Sequence, residues 1–467
     1  IPGPGDGARG PGGLGLGREV GGLVRVRDLA GRLKGTGFVA DHHGTVITSH
    51  EAVDGLPRLV LHADGDRSCL VTADAVTALP ELDLALVRTE GLGVEPLPVT
   101  VRDRVETGTY VRLAAGCWRE ARVLGTASVT YAATDRFRLL DDALELAIGT
   151  AGQDALRLGG GAAGGPVLDS GTGAVVAVLG TALQSGHRDT GYAVPLRPRS
   201  SAPLAELLTR NAATVPAYGA DLNLAGVLEL TGTSVGQDGP PGALAGYVGR
   251  AGAGGAEADA GGPGAVQCVE RTAVAREFAA FEKGPALVLA LVGNPGSGRT
   301  TELAALAARR HHGPEPAPTL WLRGADLRDD DTSVADAVRR ALSRAARIVA
   351  ASGAGGVRDL GDLGPDRAAQ VADAAGRPLL LLLDGPEEMP PVLAHPLPEG
   401  TRGPANRLAP PPPPPARHGP SPPRPPCGRA ARPPPPARPC ISATSSGTIA
   451  GPPTAWTSPP SAPPSIS

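Results

Sequence analysis

Lysine is all but missing from this chain: Lys34 and Lys283 are the only two among 44 basic residues. Aromatic residues fill 3% of the 467 positions, so a core has to be built from alanine, valine and leucine. No run approaches eighteen consecutive apolar residues, which excludes a membrane-spanning helix. The opening, IPGPGDGARGPGG, has no apolar segment of the kind a secretory signal needs. Positive charge is not in excess either, since the net charge is −3, and nucleic acid is therefore not an expected partner. The five cysteines, Cys69, Cys117, Cys268, Cys427 and Cys440, stand neither in metal-ligand pairs nor as an even disulfide set. A soluble cytoplasmic protein with no membrane partner is the expectation. Met389 is the only methionine and Ile1 opens the chain, so the true N-terminus is expected upstream.

What the chain has in excess is glycine (66) and proline (50), near the level at which disorder sets in. With so little lysine, this is the composition of a protein encoded in GC-rich DNA. At this length two or three domains are expected. Residues 1–15 read as a disordered leader. Residues 16–212 carry many short apolar segments broken by Gly, Asp and Pro, the pattern of an all-β barrel or sandwich, closed by a helix over 203–211. Residues 213–265 have linker composition, although LNLAGVLELTG at their start could be ordered. Over 266–395, apolar strands at Ala286–Val292, Thr319–Arg323 and Pro378–Asp384 alternate with helices, as in a parallel sheet covered on both faces. Residues 396–467 hold 25 of the 50 prolines and no acidic residue after Glu399. A polyproline ligand is one reading of that tail. GC-rich DNA read out of frame is the reading preferred here.

The segment Gly293, Asn294, Pro295, Gly296, Ser297, Gly298, Arg299, Thr300 follows an apolar strand and opens a helix. It fits GxxxxGK[ST] except that Arg299 stands at the lysine position. Glycines there let successive backbone N–H groups wrap a phosphate at a helix N-terminus. Thr300, with Thr301 beside it, sits where a hydroxyl ligand to Mg²⁺ is required. Asp384 ends an apolar strand and could help to hold the same ion, and Glu388 beyond it could polarise an attacking water. Guanidinium is wide and forked where lysine is a point charge, so Arg299 threatens ATP turnover more than ATP binding. GNPGSGRTT with LLLLLDGPEE resembles the signalling ATPases of the STAND/NACHT type. That resemblance, over 266–395, implies a truncated P-loop NTPase core that binds ATP and Mg²⁺ and switches between closed and open states.

Residues 31–196 resemble trypsin-like (chymotrypsin-fold) bacterial peptidases. The resemblance rests on GTGFV at 35–39, TVITSHEAV at 45–53, LDLAL at 82–86, GAAGGP at 161–166 and GYAVP at 191–195. It puts His50, Asp83 and Ala163 at the triad positions, in the right order with gaps of 33 and 80 residues. Acyl transfer needs an oxygen or sulfur nucleophile, and Ala163 offers a methyl group. Ungapped alignment puts Glu51, not His50, at the base position. Ser170 and Ser185 are other hydroxyls nearby, neither on the required turn. His42-His43 and His311-His312 read as solvated loops, and the arginines of 339–347 as a solvated helix face.

The expected architecture is a degenerate all-β double-barrel trypsin-like domain followed by an α/β P-loop NTPase domain and a disordered Pro-rich tail. The expected function is an ATP-binding signalling switch whose protease-like module recognises a protein or peptide partner, with homo-oligomerisation possible. An active ATP-regulated serine endopeptidase and a non-enzymatic scaffold with both sites vestigial are the alternatives.

Overall fold

A computed structural model describes residues 22–65, 67–90, 92–115, 117–149, 161–184, 190–238, 271–352 and 363–394. The expected leader and Pro-rich tail, and Ser185, lie outside these residues.

The first sheet holds β1 (Leu23–Arg27), β2 (Leu33–Val39), β3 (Val46–Thr48), β4 (Arg58–Ala63), β5 (Ser68–Thr72), β6 (Val76–Leu79) and β7 (Leu84–Val87). Their order is β5-β4-β1-β2-β3-β7-β6, antiparallel throughout. Alternation sets the inward face: in LVRVR, Val24 and Val26 are buried and Arg25 is exposed. The second sheet contains β8 (Tyr110–Ala115), β9 (Cys117–Ala132), β10 (Phe137–Ala147), β11 (Pro166–Asp169), β12 (Val175–Gly180), β13 (Leu183–Gln184) and β14 (Gly191–Pro195). Pairing runs β10-β14-β12-β11-β8-β9, and β9 pairs back onto β10, so six strands close a barrel. Each sheet has its own core, and a third cluster joins Phe38, Ile47 and Leu84 to Val129, Tyr131 and Val178 between them. Helix α1 (Ala202–Thr214) buries Leu204, Leu207 and Leu208 against that seam. Its Asn211, fully buried, bonds the carbonyls of Ala40 and Leu97 and the N–H of Val99.

The stretch expected to be linker begins with a strap and a helix. Asp221 is fully buried beside the second sheet, where Arg102 meets it at 2.7 and 2.8 Å and Thr100 and Thr172 donate to it. Arg102 also reaches Asp169 at 2.6 Å. Helix α2 (Leu224–Asp238) then leaves the barrels and packs Val227 and Leu230 against Leu320 and Leu342 of the other half. Its glycines permit close packing: a Cβ on Gly232 would lie 2.5 Å from the His311 ring.

The remaining elements are α3 (Thr272–Lys283), α4 (Arg299–His312), β15 (Thr319–Arg323), α5 (Val334–Ser352), α6 (Pro365–Ala374), β16 (Leu380–Asp384) and the short α7 (Pro391–Ala394). Strands β15 and β16 pair in parallel from Thr319↔Leu380 to Arg323↔Asp384. Expected strand Ala286–Val292 is a departure: the segment precedes α4 but belongs to no strand among the described residues. Leu287 is 44% and Val292 81% exposed. An apolar run becomes a strand only where a neighbour supplies ladder partners, and no described strand lies alongside this one. No helix among the described residues is long and apolar enough to cross a membrane.

Candidate functional site

Strand β3 ends in Thr48, and Ser49 caps the single 3-10 turn His50–Ala52. Asp83 stands before β7 in the left-handed region at φ 48, the only non-glycine among the described residues to do so. That backbone delivers its carboxylate beneath the turn. Ser49 Oγ donates to Asp83 Oδ1 at 2.8 Å and the Glu51 N–H to the same oxygen at 3.1 Å. The other carboxylate oxygen, Oδ2, is buried with no partner. Burial pushes the Asp83 carboxyl up to about 7, against the opposing pull of the Ser49 and Glu51 bonds.

His50 shares the turn but faces elsewhere. Its Nδ1 lies 2.7 Å from the Tyr131 hydroxyl of β9, and its own N–H donates to the backbone carbonyl of Asp83. Burial lowers the imidazole pKa, and Arg138 adds to that while Asp54 and Asp135 oppose it. Burial therefore favours the neutral ring. Glu51 points across to the second sheet, where its carboxylate accepts from Thr181 N–H, Thr181 Oγ1 and Ala182 N–H at 3.1, 2.6 and 2.9 Å.

Ala163 lies before β11 and is 1% exposed. Its carbonyl accepts the Thr36 N–H at 2.7 Å, and the Thr36 hydroxyl donates to the Gly161 carbonyl, so the loop is fastened to β2. Gly164 has φ +82, and a Cβ there would sit 2.1 Å from Thr48 Oγ1, a position only glycine can fill. Residues 35–178 match the trypsin-like peptidase domain family. The trypsin-like domain accordingly brings His50, Asp83 and Ala163 to one seam between its sheets. It aims Asp83 at Ser49 and Glu51, and the imidazole at Tyr131. Ser170 is exposed on the turn after β11, its N–H bonded to the Tyr110 carbonyl. The Ser49–Asp83 bond and the Glu51 clamp on 181–182 were not foreseen. Only the alignment of Glu51 with the base position pointed toward the clamp.

No curated protein matches the chain. Among solved structures, the active form of the Rv3671c protease from M. tuberculosis is 22% identical over 42% of this chain and 82% of that one, with a TM-score of 0.32. The inactive form of the same protease is 22% identical over 40% and 88%, with a TM-score of 0.29.

The second candidate site lies where α4 begins. Gly296 and Gly298 take positive φ, and Gly298 caps the helix. A Cβ at Gly293 would fall 2.5 Å from Ser297 Oγ, so the loop curls on itself, and its residues from Gly293 to Ser297 are exposed. Thr300 Oγ1 lies 2.9 and 3.1 Å from the two carboxylate oxygens of Asp384, at the end of β16. Arg299 leans to the rim, where Glu387 meets it at 3.3 Å. Glu388 folds back on the same turn, its N–H donating to the Gly385 carbonyl. Asn294, which accepts the Ser297 N–H, Pro295 and Thr301 complete the loop. An exposed glycine loop at a helix start, with a hydroxyl and a carboxylate converging beside it, fits a phosphate group accompanied by a divalent cation.

Proposed function

We propose that the protein is a nucleotide-binding switch of the STAND type whose trypsin-like domain recognises a peptide or protein without cleaving it. The meeting of Thr300 with Asp384, 84 residues apart in sequence, carries the nucleotide half of this reading. Backbone N–H groups of Gly293–Thr301 would hold the phosphates of ATP, and Thr300 and Asp384 would hold Mg²⁺, which neutralises phosphate charge when bound. Arg299 keeps the positive charge at the lysine position, but its tie to Glu387 draws that charge toward the rim. Binding is therefore the expected activity, and hydrolysis, with Glu388 as the candidate base, the weaker one.

The non-cleaving half of the reading is supported by the seam itself. A serine-type mechanism needs a hydroxyl nucleophile, an imidazole beside it and a carboxylate orienting that imidazole. Here a methyl group, a glutamate clamp and a Ser49-bonded aspartate stand in those places.

Calorimetry of Mg·ATP on the full chain tests the switch. Wild type is expected to bind, and Asp384→Ala to bind at least tenfold more weakly in the presence of Mg²⁺. A folded wild type that gives no heat at millimolar nucleotide would remove the reading and leave the scaffold. A fluorophosphonate probe should label no serine, and stoichiometric labelling at a mapped serine would restore the endopeptidase.

A further inference from the structure

The two histidines that close α4 do not lie in a solvated loop. His311 and His312 are both half-buried, their rings 4.7 Å apart and edge to face. Gly232 of α2 lies against the His311 ring. A Cβ there would come within 2.5 Å of Cε1, 3.2 Å of Nε2 and 3.3 Å of Nδ1, so α2 stands over both nitrogens. No described residue hydrogen-bonds the ring.

The charged neighbours are already engaged. Glu229, one turn before Gly232, accepts from the Tyr218 hydroxyl. On α4, Arg310 is held by Glu282 of α3 and by the Pro318 and Pro378 carbonyls. The residues one turn before His311 are Ala307 and Ala308. Among the described residues, His312 is the one group whose charge acts on the ring. Burial, and then that neighbour, push the His311 imidazole below its ordinary value, so a proton there is disfavoured while α2 is in place.

The contact also marks a change along α2. Val227 and Leu230 anchor its first half to Leu320 and Leu342. Past Gly232 the helix leans on His311 and, through Val235, on the cluster of Phe278 and Trp321. Since α2 follows the strap at Asp221 and α4 follows the glycine loop, His311 sits where the two halves meet.

We propose that the His311–Gly232 contact is a pH-sensitive joint between the two halves, at which a proton taken up from solvent by the imidazole releases residues 232–238 of α2 from α4. Above about pH 6.5, the ordinary imidazole value, the ring is neutral whether the joint is open or closed, and the joint holds. Below it the open form, with its ring in water, takes up the proton more readily, and the joint loosens as pH falls. Val227 and Leu230 stay in place, so the halves remain attached. The joint does not depend on nucleotide, and loss of ATP binding leaves it intact.

Hydrogen exchange of the full chain, read by mass spectrometry and expressed as protection factors, tests the joint. From pH 7.5 to pH 5.5, wild-type protection over residues 232–238 should fall about three- to tenfold, ten being near the limit for an imidazole one unit below its ordinary value. His311→Gln should show no such fall, and His312→Gln should keep it. An equal fall in His311→Gln, its loss in His312→Gln, or none in wild type overturns the proposal. Exchange at the His311 Cε1–H over a pH series gives the midpoint of that one imidazole, which should lie below about 6.5 in wild type and rise toward it in Gly232→Ala. A wild-type midpoint at or above that value, or one unmoved by Gly232→Ala, overturns the proposal even where His311→Gln does not fold.

Discussion

Asp83→Asn isolates the one fully buried carboxylate at the seam of the trypsin-like domain. In the folded state burial raises this carboxyl from 3.8 to about 7. The native protein therefore keeps a proton that the unfolded chain gives up, and stability from this group is full below pH 4 and lost as pH rises toward 7 and beyond. At 1.36 kcal/mol per unit, the loss between pH 5 and pH 8 is about 2–3 kcal/mol. Asparagine stays neutral, still accepts from Ser49 Oγ and the Glu51 N–H, and tolerates the left-handed backbone. His50 works in the opposite direction, because its lowered pKa adds stability as pH rises. It is present in both proteins and cancels in the difference, as do Asp41 and Asp54, whose lowered pKa values matter only in acid. Pulse proteolysis across a urea gradient, with samples equilibrated at pH 5 or pH 8 and the trypsin-like fragment followed, gives the comparison. The variant should gain about 2–3 kcal/mol on wild type between the two pH values. A pH dependence identical in both would refute the buried-carboxylate reasoning.

Asn211→Ala should destabilise the trypsin-like domain by about 2–4 kcal/mol, since two carbonyls and one N–H lose their buried partner; urea unfolding measures it. Arg299→Lys should tighten Mg·ATP several-fold in calorimetry, because a compact ammonium need not lie against Glu387. Ala163→Ser alone should remain unlabelled by a fluorophosphonate, while Ala163→Ser with Glu51→His should label slowly, as the imidazole would stand over Asp83.

The β half was legible because its strands are short, alternating and punctuated by turn residues. Strand β10 was harder to see: FRLLDDALELA puts Asp141, Asp142 and Glu145 among its leucines, and its pairing with β9 and β14 is a tertiary fact. GAAGGP and LDLAL located the seam, but not which way its side chains face. Nothing in TSHEAV says that Ser49 rather than His50 takes the carboxylate, because that follows from the 3-10 turn and the φ of Asp83. In the second half, the hydroxyl and the carboxylate were found from motif spacing. Within 213–265, LNLAGVLELTG is indeed ordered, as part of α2, but glycines that serve close helix packing look, in one dimension, like a flexible tether.

Asp221 sets where the chain can be divided without loss. A cut at residue 212, where composition alone would divide the chain, leaves Arg102 half-buried with only Asp169 and exposes the faces that Val227 and Leu230 cover. Neither piece carries a finished interior. The segment from Asp221 through α2 therefore belongs to both interiors at once, closing the second sheet at one end and covering the other half's core at the other.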